Sequence, residues 1–156
     1  MLGRYFTWDE MTRSTTAREL GIDNAVRDCD HRLALVLLVR DVLDPLRMAL
    51  DTPVHVTSGY RTAELNAAIG GSSTSQHMRG QAADIRVPGM PARDLADAIH
   101  LAGLPYDQLI WYHDDRGGHV HVSIAVGREP RGEYLYAPPQ GGYLEWPDWP
   151  EADHHG

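Results

Sequence analysis

The sequence predicts an α+β domain, and three observations predict it. Helical periodicity is concentrated in two long stretches, residues 31–50 and 90–103. Four short segments read as strands, and three of them alternate apolar and polar residues with the period of two that a half-buried strand requires. Turns bearing glycine or proline separate the two kinds of segment. The chain has 156 residues, 42 % of them apolar and 23 % charged, which suits one compact domain with its own core.

Residues 1–30 read as turns and short helical pieces. In "RSTTARELGIDN" the Ser and Thr residues offer N-caps and Gly21 a stop. The stretch "HRLALVLLVRDVLDPLRMAL" is the longest helix candidate. Leu33, Val36, Leu37, Arg40 and Leu43 follow helical spacing and are expected to form its inward stripe. Pro45 is expected to kink this helix or to start a new turn. A strand follows, in which Val54 and Val56 alternate with His55 and Thr57. "TAELNAAIGG" is a short helix ended by Gly70 and Gly71. A polar loop at 72–81 leads into "AADIRV", a second strand with Ala83, Ile85 and Val87 on one face and Asp84 and Arg86 on the other. "MPARDLADAIHLAG" is a helix with an apolar stripe of Leu95, Ile99 and Ala102, and His100 lies off that stripe. "QLIWYH" is the third strand, "DDRGG" a turn, and "HVHVSIAV" the fourth strand. From Tyr136 onward, "YAPPQGGYLEWPDWPEADHHG" is expected to be mostly coil, with His154 and His155 as a polar end rather than ligands. We expect a single domain over residues 1–140 and a Pro/Gly/Trp-rich tail over 141–156.

Composition excludes several functions. The net charge is −8, and the 14 Lys and Arg residues form no run, which argues against nucleic acid and against an anionic membrane surface as partner. The longest apolar run, "LALVLLV", is too short to span a bilayer. A single cysteine, Cys29, makes an internal disulfide impossible. The N-terminal stretch carries no apolar core of a signal peptide, so none is expected. A monomer is expected.

Chemistry collects in two places. In "HVHVSIAV", His119, His121 and Ser123 share a strand face opposite Val120, Val122 and Ile124. In "SSTSQHMRGQAADI", His77 precedes Asp84 by seven positions, with small residues clearing space between them. If the two strands are antiparallel neighbours, His77, Asp84 and one of His119 and His121 converge. Two His and one carboxylate are a common three-ligand set for catalytic zinc, which keeps its fourth position for water. The alternative is a scatter of polar residues on solvated faces.

"SGYRTAELNAAIGG", "SQHMRGQAADI" and "HVHVS" together resemble the zinc D-Ala-D-Ala carboxypeptidase family of cell-wall peptidases. "YFTWDEMTRSTTARELGIDN" and "VLDPLR" resemble its small single-domain members, often carried by phages, and the similarity runs from about residue 5 to residue 126. The resemblance implies helices packed on a small antiparallel sheet, with the zinc site on the sheet's polar face. It implies a Zn2+ cofactor and hydrolysis of peptide bonds in bacterial peptidoglycan stem peptides, of carboxypeptidase or endopeptidase type. It implies His77, Asp84 and His121 as zinc ligands and Arg61 as a substrate-binding arginine. A planar guanidinium suits a carboxylate, and the other reading of Arg61 is a salt bridge at the start of a helix. Ser75 either binds substrate or caps its loop. Relatives often place an acidic general base three residues before the last ligand; here that residue is Gly118. His119 is then the expected base, with Asp114 or Asp115 as alternatives and His113 nearby. A different class of function also fits: a non-catalytic cell-wall-binding or phage structural module that keeps the fold. The expected place of action is the cell wall, reached by release at lysis or in a virion.

Overall fold

The computed structural model describes residues 1–146. Thr7 and Glu10 cap α1 (Trp8–Thr12) reciprocally, and Ser14 caps α2 (Thr15–Leu20). Helix α3 (Cys29–Leu38) starts at an Asp28 N-cap. It widens into a π-helical turn, Val39–Leu43, before α4 (Asp44–Leu50), and a short α5 (Ala63–Ala68), capped by Thr62, follows later in the chain. Pro45 in the first turn of α4 explains the widening: it has no N–H, and its ring would press on the carbonyl four residues earlier.

The stripe expected for residues 31–50 is only partly right: Leu43 is buried and Val36 and Leu37 are half-buried, but its other two members face solvent. Leu33 is 52 % exposed and Arg40 is exposed, while Leu35, Leu38, Val39, Val42, Leu43 and Leu46 are buried. "LALVLLV" is apolar around nearly the whole helix, so spacing alone leaves more than one face eligible, and the sheet selects the one it covers.

The six strands run in the order β1-β2-β4-β3-β5-β6. They are β1 (His55–Ser58), β2 (Ala82–Arg86), β3 (Gln108–Tyr112), β4 (His119–Ser123), β5 (Glu133–Ala137) and β6 (Leu144–Glu145). All neighbours pair antiparallel except β3 and β5, which are parallel. The architecture is α+β with a mostly antiparallel sheet, as the sequence implies. The coil expected from Tyr136 onward is corrected by β5 and β6. Tyr134, Leu135, Tyr136 and Ala137 are all buried, so β5 shows no alternation to read. Residues 147–156, with His154 and His155, lie outside the described residues.

One sheet face, carrying Ala83, Ile85, Leu109, Trp111, Val120 and Val122, shares a core with the inward residues of the α3–α4 run and with Leu95 and Ile99 of α6 (Ala92–Leu101). Each such buried aliphatic side chain contributes about 1.5–3 kcal/mol. Ala102, expected on the α6 stripe, is instead exposed at the helix end, and His100 is exposed as expected. The other face carries Asp84, His119 and His121, beside a small apolar cluster of Ile110, Leu135 and Ala137. Among the described residues, no helix is long and apolar enough to cross a membrane.

Candidate metal centre

Antiparallel pairing of β2 and β4 sets Asp84 directly opposite His121. Same-face side chains on opposed residues sit within contact distance, and His121 Nδ1 lies 3.0 Å from Asp84 Oδ1. His77 arrives from a 3₁₀ turn, Gln76–Arg79, which the Ser75 hydroxyl caps by accepting from the His77 N–H at 3.3 Å. His77 Nδ1 lies 2.7 Å from the Gly59 carbonyl oxygen. A carbonyl only accepts, so Nδ1 carries the hydrogen and Nε2 keeps its lone pair. Gly59 itself is fixed against the Met11 backbone, where a Cβ would sit 2.3 Å from the Met11 carbonyl oxygen.

His77 Nε2 faces Asp84 Oδ1 at 3.3 Å, and one donor atom from each of His77, Asp84 and His121 lies within 4.8 Å of the others. All three side chains are at least 85 % shielded from solvent. Burial raises the Asp84 pKa, but the facing His121 and His77 rings outweigh it and hold the carboxyl far below its ordinary range. The neutral His121 ring can donate its Nδ1–H to this oxygen, but His77 has its hydrogen on Nδ1, so its Nε2 can face the carboxylate only with a second proton on the ring or with a cation between them. Two nitrogens, one carboxylate and no thiolate suit zinc in a site that keeps a position open. The residues present therefore fit the ion. Of the strand histidines that sequence left open, the geometry selects His121.

The Peptidase M15 profile matches residues 4–123. This chain belongs to the Peptidase M15 family. Over 89 residues it is also 35 % identical to the zinc D-Ala-D-Ala carboxypeptidase of Streptomyces albus G. That match covers 55 % of this chain and 34 % of the relative, so the chain spans about a third of the relative's length.

The other expected residues of this M15 chain fall into three situations. Arg61 lies beside the triad and is oriented on all sides. Its Nε donates to Ser58 Oγ at 3.1 Å, its Nη1 donates to Asn66 Oδ1 at 3.2 Å, and its Nη2 is 3.6 Å from Asp84 Oδ2. Its salt bridge thus crosses to β2 rather than to the helix that follows it. Of five guanidinium N–H donors, at least two stay available to a ligand. Ser75 lines the same cleft and also caps its turn.

His119 shares the His121 face and stacks flat on Tyr112, with ring centroids 4.5 Å apart and planes at 6°. Burial pulls its pKa below the ordinary value, with Arg86 and His121 adding to the effect and Asp84 and Asp114 opposing it. Asp114 is committed elsewhere. Its carboxylate accepts from Arg86 Nη2 at 2.7 Å and from the Arg116 and Gly118 N–H groups, both at 2.8 Å. Asp115 and His113 are exposed on the turn, and neither they nor Asp114 line the cleft. Gly118 has φ +77°, and a Cβ there would lie 1.8 Å from the Tyr112 carbonyl oxygen. A carboxylate three residues before His121 is therefore sterically impossible on this backbone.

Sequence reading missed several cleft residues. Tyr112 and Tyr143 both line the cleft, and burial together with a hydrogen bond with Tyr143 pushes the Tyr112 hydroxyl well above its ordinary pKa. Gln108, Arg128 and Arg131 line its β3 side. Nothing local in "GREPRGE" announces this, because their partner, Asp107, is more than twenty residues earlier.

Proposed function

We propose that this chain is a zinc-dependent peptidase that hydrolyses peptide bonds in bacterial peptidoglycan stem peptides. The observation that carries the reading is the His77–Asp84–His121 donor set, with His77 held in the tautomer that leaves Nε2 free, at the wall of a cleft of about 780 Å³. The name of the Streptomyces albus G relative supports the substrate class.

His77, Asp84 and His121 would hold the metal. A zinc ion bound there would polarise the scissile carbonyl and lower the pKa of the attacking water. Arg61 binds a substrate carboxylate close to the scissile bond through its remaining donors, and Ser75 adds a hydroxyl on the same wall. His119 is the general base: it accepts the proton of the attacking water and delivers it to the leaving amine. Stacking on Tyr112 holds its ring in one plane, and partial desolvation favours the neutral imidazole that can accept a proton. The enzyme acts at the cell wall as a monomer. Its likeness to small phage-carried members supports a phage origin, and residues 1–140 form the working domain.

One observation favours a second reading, a non-catalytic cell-wall-binding or phage structural module: Gly118 stands where relatives often carry the base. Mass spectrometry of purified cell walls incubated with the protein separates the two. The peptidase reading expects new muropeptide products that a chelator abolishes and added zinc restores. Unchanged muropeptides with the protein retained on the wall would support the module.

A further inference from the structure

We propose that the cleft contains a second anion subsite, built on Arg128 and Arg131, that binds a substrate carboxylate two or three residues away from the scissile bond. The proposal rests on the peptidase reading for its substrate. Neither arginine lies within the residues matched by the family, 4–123.

The subsite is held by Asp107, whose side chain is fully buried. Arg128 grips it with two parallel bonds, Nη1 to Oδ1 and Nη2 to Oδ2, each 2.7 Å. Arg131 adds its backbone N–H to Oδ1 at 2.9 Å and Nη2 to Oδ2 at 2.6 Å. Gln76, the residue before ligand His77, donates to Oδ2 at 3.0 Å. A buried carboxylate needs one cation to balance it, and here two guanidiniums converge on it. Both arginine side chains remain close to half exposed, at 44 % and 45 %, and both line the cleft. Arg128 Nε makes no hydrogen bond among the described residues.

The charge does not cancel. Glu133 lies 3.5 Å from Arg131 Nη1 and takes part of that residue's charge. Arg79 lines the same cleft, exposed and without a hydrogen bond or ion pair among the described residues. Three arginines against Asp107 and Glu133 leave one net positive charge there, in a chain whose net charge is −8. Buttressed guanidiniums in a cleft wall are pre-organised for a carboxylate, because their orientation has been set before the ligand arrives.

Register sets the spacing. Ile110 stands opposite His121 and Gln108 opposite Ser123, so Asp107 is three residues along β3 from the metal row. At roughly 3.4 Å per strand residue this is about 10 Å. An extended peptide with its scissile bond at the triad covers that distance in two or three residues. Arg61, 3.6 Å from Asp84, serves the nearer carboxylate.

The test uses the stem pentapeptide L-Ala-γ-D-Glu-L-Lys-D-Ala-D-Ala, a form amidated at the D-Glu carboxylate, and a form amidated at the C-terminus. Cleavage is followed by mass spectrometry and binding by calorimetry on the zinc-loaded protein. We expect one of the two amidations to lower kcat/KM and affinity roughly tenfold, the scale of a lost charge-assisted contact. That loss should shrink to near parity in Arg128→Gln and be partly kept in Arg128→Lys. Destabilisation alone leaves the acid-to-amide ratio where it was. If Arg128→Gln does not fold, Arg79→Gln, which breaks no contact, should still reduce the ratio. Equal affinity and turnover for all three peptides, or a ratio unchanged in these variants, overturns the subsite. Cleavage of none of the peptides, with the acid preference in binding retained, instead overturns the peptidase reading and leaves the subsite standing.

Discussion

His77 Nδ1 donates to the carbonyl oxygen of Gly59 at 2.7 Å. That bond selects the imidazole tautomer and aims Nε2 at Asp84, so the candidate metal site is oriented by a backbone atom eighteen residues earlier. Metal analysis of the purified chain should find one zinc per molecule, and His77→Ala should hold no stoichiometric zinc. Full zinc in a folded His77→Ala protein refutes the ligand assignment.

Arg61 depends on its shape as well as its charge. Its contacts to Ser58 and Asn66 use two different nitrogens, which a lysine ammonium cannot reproduce together. Arg61→Lys should lower kcat/KM on stem peptides by roughly tenfold or more, even though the charge is kept. Wild-type kinetics for this variant on every stem-peptide substrate rules the role out.

For His119, the discriminating measurement combines metal content with rate. His119→Ala should keep its zinc, because the three ligands are intact, and should lose roughly 10²-fold or more in turnover. A zinc-loaded variant with near-normal activity would falsify the assignment.

Restoring the acidic residue that relatives carry should fail here. In Gly118→Glu the new Cβ meets backbone, not a movable side chain, and the φ of +77° is unfavourable for any residue with a Cβ. Thermal unfolding should show a loss of about 2 kcal/mol or more, with no gain in rate. A stable and faster Gly118→Glu enzyme would show that the turn relaxes to accept a base.

Asp107 makes stability depend on acidity. Hydrogen bonds from Arg128 and Arg131 outweigh burial and hold its carboxyl far below the ordinary range in the folded chain. A depressed folded pKa contributes stability that is fully present above the unfolded value, about 3.9, and is lost as pH falls below it. Asp107→Asn should therefore destabilise the chain by about 2–3 kcal/mol near neutrality. The gap to wild type should narrow progressively below about pH 4. A gap that stays constant down to pH 2 excludes the linkage.

Much of this protein is determined locally. The first four strands, the Ser14 cap and the alternation that puts His119 and His121 on one strand face depend on neighbours within a few positions, and period and turn chemistry record such neighbours directly. Other features were decided only by assembly. Which face of α3 and α4 is buried depends on where the sheet lies, because Leu33 and Leu35 are equally apolar until something covers one of them. β5 is hidden because a strand packed on both faces shows no alternation. That Asp84 faces His121 and not His119 follows from the register of β4 on β2, and a slip of two residues would bring His119 opposite it. Asp114 is engaged by Arg86, 28 residues earlier in the chain, as well as by the amides of its own turn. The arginine pair on Asp107 spans more than twenty residues of chain. Pattern reports what repeats along the backbone; contacts closed by long loops leave no period, and only the folded chain brings them together.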